Sequence, residues 1–374
     1  MPVHLHALRG VLPETAYAQT RIRDVIRAQP ELDRLGQRLT TSIFDHSGID
    51  TRHSVVPDFA DGAPAGLFYD PATGGMRRPT TGQRNAYYIE HATPLFVAAA
   101  RAALEASPQF GAADVTHVIT VSCTGFYAPG PDYAIVRALG LSPHTQRFHV
   151  GFMGCYAAFP ALRMARAFCA ADPDAVVLVV CAELCTVHMH SAGDPDTLIA
   201  NSVFADGAAG VVVSARPPMP GTPALRVDAL HSTLTPEGVG EHDMAWTIGD
   251  QGYDMVLSTY VPEIIEANLC PVLDDLLAGM PGVQRWADVE RWAIHPGGRQ
   301  ILDRVQTSAG LSDGQLAPSR DVLRRAGNMS SATVLFILQD VLTSAAPGDR
   351  VAALAFGPGL TVESGVFTVC GGPP

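Results

Sequence analysis

The sequence predicts an α/β protein made of two similarly ordered, layered halves, and three observations carry that expectation. From Thr93 onward, helical patterns alternate with β-branched runs, the order that builds sheets covered by helices with parallel connections. The run Ala175 to Cys185 is apolar at nearly every position, as a strand buried on both faces must be. The segment from Arg216 to Pro223 carries Pro217, Pro218, Pro220 and Pro223. It divides the chain into residues 1–220 and 221–374, with comparable elements on either side.

A short opening strand precedes a helix introduced by Pro13-Glu14-Thr15 and running to Ala28, with proline at an allowed early position. Residues 60–90, rich in Gly and Pro, read as an irregular surface segment. A helix from Thr93 to Ala106 leads to a strand from Val115 to Val121, a helix near Tyr133 to Leu139 and a strand from Gln146 to Val150. A helix from Cys155 to Ala170 and a strand from Ala175 to Val180 follow, then a turn at Asp206-Gly207 and a strand from Ala208 to Ala215. The second half gives a strand from Leu225 to Leu234, a helical region near Asp254 to Leu277, a strand from Arg291 to Ile294 and a helix from Arg299. A buried helix from Met329 to Ala345 and strands at Val351 to Phe356 and Val362 to Val369 close the chain. The similar order suggests duplication, without a residue-level repeat.

Of 374 residues, 47% are hydrophobic and 17% charged, which describes a folded globular chain and excludes a disordered or fibrous one. Lys and Arg number 25 against 37 acidic residues, so the net charge of -12 argues against a nucleic-acid partner, and any anionic ligand needs a local basic cluster. Seven widely spread cysteines fit reduced thiols in the cytoplasm. The opening Met-Pro-Val-His-Leu-His lacks the order of a signal peptide. The most apolar run contains Glu183 and is about half of the ~20 residues a membrane span requires.

Chemistry gathers at three places. In Gly151-Phe152-Met153-Gly154-Cys155, a cysteine stands on a sharp turn between a strand and a helix, where free N–H groups and the helix dipole favour a thiolate. The plain alternative, a small buried hydrophobe, suits Cys169, Cys181, Cys185, Cys270 and Cys370. In Ile294-His295-Pro296-Gly297-Gly298, the proline and glycines stop a strand just after a histidine and hold its ring at the strand's end. In Gly327-Asn328-Met329-Ser330, Asn328 is a helix cap or, beside a thiol and an imidazole, a donor to an oxyanion. Cys181, Cys185, His188 and His190 have residue types that suit zinc, but their strand spacing splays them and no Cys-x-x-Cys pair accompanies them. No dinucleotide or P-loop signature is present.

Taken together, Cys123-Thr124-Gly125, Pro129-Gly130-Pro131-Asp132-Tyr133, Gly154-Cys155, Phe204-Ala205-Asp206-Gly207-Ala208-Ala209, Ile294-His295-Pro296-Gly297-Gly298, Gly327-Asn328-Met329-Ser330-Ser331-Ala332 and Gly357-Pro358-Gly359-Leu360-Thr361 resemble the type III polyketide synthases, the chalcone synthase-like enzymes of the thiolase superfamily. The resemblance implies a thiolase-like, five-layered αβαβα fold from two similar halves. It implies a homodimer and a catalytic set at Cys155, His295 and Asn328. Acyl-CoA and malonyl-CoA are the implied substrates, with no other cofactor and no metal. Phe204 matches a gatekeeping phenylalanine, and Met255 stands at the second gate position. Cys123, His188 and Trp246 stand where the plant enzymes have Thr, Thr and Gly, which turns the expectation away from chalcones and toward alkylpyrones or alkylresorcinols built on fatty acyl starters. Ser330, Gly357 and Pro358 are further substrate-binding positions. Arg52, in a segment matching the family's basic entrance, and Arg299 are expected to bind CoA phosphates.

Other readings are a single-round β-ketoacyl synthase of the same fold, a papain-type hydrolase, whose Cys-Gly-Ser-Cys-Trp context is absent, and a non-catalytic acyl-binding scaffold.

Overall fold

The strand Val176–Leu184 shows how the molecule is layered. Successive side chains of a strand point to opposite faces. Val177, Val179 and Cys181 join Phe159 and Leu162 in one apolar core, while Val176, Leu178 and Val180 join Phe96 and Ala99 in a second. Strand Arg350–Gly357 repeats the device, with Val351, Ala353 and Ala355 in the first core and Ala352, Leu354 and Phe356 in a third. These relations come from a computed structural model, which describes residues 1–278, 280 and 282–371.

The first core lies between the two halves and is filled by helices Ala158–Ala171 and Thr333–Ser344, which touch strands of both. Helix Thr81–Glu105 covers the outer face of one half, and helices Val261–Ala278, Arg299–Ala309 and Asp313–Ala326 cover that of the other. The result is the expected five layers, helix, sheet, helix, sheet, helix. Nine strands form one hydrogen-bonded array, in the order Arg291–Ile294, Arg350–Gly357, Thr361–Cys370, Ala224–Thr233, His4–Val11, Asp206–Ser214, Val176–Leu184, His117–Ser122 and Gln146–Gly151. His4–Val11 joins the halves, pairing antiparallel with Asp206–Ser214 on one side and, through His4 and Leu5, with Ala224–Thr233 on the other.

The sheet is mixed, not parallel throughout. Among the described residues three of its strand pairings are parallel, those of His117–Ser122 with its two neighbours and of Arg291–Ile294 with Arg350–Gly357. The tight turn Pro358–Leu360 returns the chain directly and enforces an antiparallel pair.

Several elements differ from the sequence reading. The first helix starts at Gln19, because Ala16–Ala18 is drawn into a short strand paired with Thr51–His53. Residues 81–90 are helical, since Thr80 and Gln83 form a capping box and the helix continues through Pro94. Asp206-Gly207 opens a strand and is not a turn. The largest difference lies near Asp254: Met244–Gly249 and Gly252–Leu257 form a hairpin, and the helix begins only at Val261. Met255 therefore sits on a strand, directly opposite Trp246. Helix Asp313–Ala326, opened by a second capping box at Ser312 and Gln315, was not read from the sequence.

Candidate active site

Strand Gln146–Gly151 and helix Ala158–Ala171 are joined by the turn that carries Cys155. Gly154 has φ +84, and a Cβ there would lie 2.5 Å from Pro358 Cδ and 2.7 Å from Trp246 Cη2. Only glycine combines that backbone with that closeness. The Gly154 amide donates to Cys123 Sγ at 2.9 Å and the Ala157 amide to the Gly154 carbonyl at 3.0 Å, so the turn is fixed at both ends.

The helix start alone argues for a thiolate. Burial outweighs it and pushes the Cys155 thiol up to about 12, while hydrogen bonding from the Ser330 and Asn328 side chains works the other way. His295 is wholly buried just past strand Arg291–Ile294, and its amide donates to the Leu354 carbonyl at 2.8 Å. Neither of its ring nitrogens has a hydrogen-bond partner among the described residues, and burial pushes the imidazole down to about 3. The resting sulfur therefore keeps its proton, and the buried imidazole is neutral.

Asn328 pairs its backbone with the segment that carries Phe204. Its amide donates to the Val203 carbonyl at 2.8 Å, and its carbonyl accepts from the Ala205 amide at 2.9 Å. Its side-chain Oδ1 accepts from the Ser330 amide at 2.8 Å, which leaves Nδ2 as the outward-facing donor, 3.5 Å from the Gly297 carbonyl.

Two cavities meet at the cysteine. The larger is lined by Cys123, His188 and Ser330, and the smaller by Asn328, Gly297, Gly357 and Pro358. Cys155, Phe204, Trp246 and Met255 line both and form the neck between them. His188 donates from Nε2 to the Thr124 carbonyl at 2.8 Å, stacks on Tyr253 at 3.8 Å, and is held neutral by burial.

Glu183 is the residue that sequence reasoning passed over, noting it only as a charge in an apolar run. It is fully buried and accepts from the Cys123 amide at 2.9 Å, from Thr124 Oγ1 at 3.0 Å and from Ser331 Oγ. It thus ties the Cys123 turn to the segment after Asn328, and burial pushes its carboxyl up to about 7. A lone acid in an otherwise apolar strand was the available signal, since such a group is retained only where donors converge on it.

Arg52 is corrected. Its side chain is buried rather than at an entrance, with Nη1 donating to the carbonyls of Asn201 and Phe204 and the guanidinium lying over Phe44. It steadies the segment that carries Phe204. Arg52→Ala should therefore lower stability by about 3 kcal/mol or more, two buried carbonyls losing a charged donor, and leave the salt dependence of KM unchanged. Chemical denaturation and kinetics at several salt concentrations check both. Arg299 is different, being half-exposed at the start of its helix, paired to Asp303 at 3.5 Å and two residues beyond the cavity-lining Gly297. Among the described residues no group of three or more His, Cys, Asp or Glu is arranged to hold a metal ion.

The family model for chalcone and stilbene synthases, N-terminal domain, matches residues 10–217, and that for the C-terminal domain matches residues 228–370. The chain belongs to the chalcone and stilbene synthase family. The synthase is 36% identical over 297 residues to the alpha-pyrone synthesis polyketide synthase-like Pks18 of Mycobacterium tuberculosis, covering 78% of this chain and 75% of the relative. It superposes on PKS-I of the brown alga Ectocarpus siliculosus with a TM-score of 0.90 and 31% identity, over 98% of each chain. For 1,3,6,8-tetrahydroxynaphthalene synthase of Streptomyces coelicolor A3(2), a bacterial type III polyketide synthase, the TM-score is 0.85 at 26% identity, over 98% of this chain and 99% of that one. The synthase is thus an acyl-transferring enzyme, a type III polyketide synthase of thiolase-like fold, and the single-round β-ketoacyl synthase is not favoured.

Proposed function

We propose that the synthase loads a fatty acyl group from acyl-CoA onto Cys155, extends it iteratively with malonyl-CoA, and releases an alkylpyrone, alkylresorcinol or related ring. The observation that carries this reading is the position of Cys155 in the neck between two cavities, one for the incoming thioester and one for the growing chain. The relationship to an alpha-pyrone synthesis enzyme supports the product class.

In this reading the thiol proton passes to neutral His295 as the sulfur attacks the thioester carbonyl, and CoA leaves with that proton. Asn328 Nδ2 and the imidazole then face the oxygen of a bound malonyl thioester and stabilise the enolate left when its carboxylate departs as carbon dioxide. The carbanion attacks the acyl group on Cys155 and frees the sulfur for the next round. The sequence of steps draws on no metal or redox cofactor, its driving force being thioester cleavage and decarboxylation.

Arg299 is the remaining candidate for a CoA phosphate, and residues near 220 are taken as the junction of the two halves. A second copy is proposed to cover the edge strand Gln146–Gly151, near which Phe126 and Tyr133 stand exposed. All seven cysteines are free, which supports a cytoplasmic setting. Among the described residues no helix is long and apolar enough to cross a membrane.

The test is incubation with labelled malonyl-CoA and a panel of acyl-CoAs of rising length, with mass spectrometry of the products. Failure of every acyl-CoA to yield a malonyl-derived product would overturn the reading. Trp246 belongs to none of the three cores and lines both cavities. Trp246→Gly is accordingly expected to change product length or starter preference while acylation of Cys155 by a short acyl-CoA stays near wild type. A lowered melting temperature with an unchanged product pattern would show a structural role instead.

A further inference from the structure

We propose that Phe152, which lines neither cavity, sets the length of unbranched acyl chain the site accepts by holding the end wall in place. The proposal rests on the reading of Cys155 as the acyl-bearing residue.

The wall is one face of the Met244–Gly249 and Gly252–Leu257 hairpin. Trp246, Met255 and Tyr253 all project from that face and line the larger cavity. Among the described residues the hairpin pairs with no other strand, so its seating depends on side-chain contacts and on its tip, where Thr81 donates from its amide to the Asp250 carbonyl at 2.9 Å and accepts from the Gly252 amide at 2.9 Å. The buried indole N–H of Trp246 has no acceptor among the described residues. Its ring is oriented by packing alone.

Phe152 supplies that packing. Its ring meets Trp246 edge-on at 5.4 Å and Tyr253 edge-on at 5.6 Å, the geometry in which aromatic pairs attract beyond simple burial. To reach this place the residue adopts φ +59, the left-handed region that a bulky side chain avoids. The non-glycine residues with positive φ among the described residues are Phe152, Ser330 and Leu360, and all three stand at or beside the site. Such backbone persists where its surroundings over-determine it. On its far side Phe152 touches Phe126 at 5.6 Å, and Phe126 is 40% exposed. Removing the Phe152 ring would therefore leave Trp246 and Tyr253 without backing and free them to yield to a longer chain.

The test uses N-alkylmaleimides of increasing alkyl length, with labelling rates read at the Cys155 peptide by mass spectrometry. Wild type should label progressively more slowly beyond a limiting length. Phe152→Ala should raise the ratio of long-chain to short-chain rates about tenfold or more, the scale set by fitting or excluding methylenes in an apolar pocket, and Phe152→Leu should restore the wild-type limit. Phe152→Gly removes the ring while relieving the left-handed backbone, and stands in if the alanine variant fails to fold. An unchanged ratio in a folded, ring-deleted variant would overturn the proposal. The probe requires neither malonyl-CoA nor condensation, so its failure is separate from failure of the synthase reading, which would show as the absence of any malonyl-derived product in wild type.

Discussion

Replacing Cys155 with alanine is expected to abolish acyl transfer while leaving the fold intact. Of the cysteines, Cys155 is the one that lines both cavities, whereas Cys185 lines the larger alone and Cys169 and Cys181 line neither. Cys123 is occupied, its sulfur accepting from the Gly154 amide. Losing a covalent nucleophile costs on the order of 10^4-fold or more in rate, whereas truncating one small side chain beside an existing cavity leaves only a slightly larger void. Intact-protein mass spectrometry after exposure to acyl-CoA should show a single adduct in wild type and none in the variant. An adduct that persists in Cys155→Ala would remove the residue from its assigned role.

The second large effect should come from the donors. In a Cys155→Ala background, where condensation is silent, adding His295→Ala or Asn328→Ala should slow malonyl-CoA decarboxylation roughly a hundred- to a thousandfold, the usual cost of losing one oxyanion donor. The two losses have different physical routes. His295→Ala removes a ring with no other partners, while Asn328→Ala also releases the Ser330 amide that its Oδ1 holds. The pH dependence carries a sign. Because burial takes the imidazole down to about 3, it stays neutral from pH 5 to 8, and decarboxylation should show no His295 step near the ordinary histidine value of about 6.5. A clear loss of rate as pH rises through that value would mean that imidazolium is the working form, and wild-type decarboxylation in both variants would refute the donor roles.

The layered architecture was legible because strands buried on both faces leave an unmistakable apolar run, and the positions of Cys155, His295 and Asn328 were legible because glycine and proline mark the turns that present them. The hairpin was not. Its alternation in Met244–Gly249 and its Gly-Asp-Gln-Gly turn at 249–252 were present, but the apolar run beyond Tyr260 pulled the boundary of the following helix back across the second strand. Arg52 was misplaced for a different reason. A basic residue beside a loop suggests solvent, and nothing local shows that two carbonyls from residues some 150 positions away close over it. The left-handed backbone of Phe152 was equally invisible, since a bulky side chain such as phenylalanine rarely takes that conformation.

The helical layer between the sheets has a consequence for how the chain comes apart. Helix Ala158–Ala171, which follows Cys155, and helix Thr333–Ser344, which follows Asn328, belong to one shared core. Neither half can bury its inner face alone, so the halves are units of topology and not of folding, and a cut near residue 220 would yield two fragments each with a wet, apolar side. Thermal unfolding should then be a single event in which Cys155, His295 and Asn328 lose their places together. Assembling the proposed catalytic set across that seam would make the site itself a reporter of whether both halves have docked.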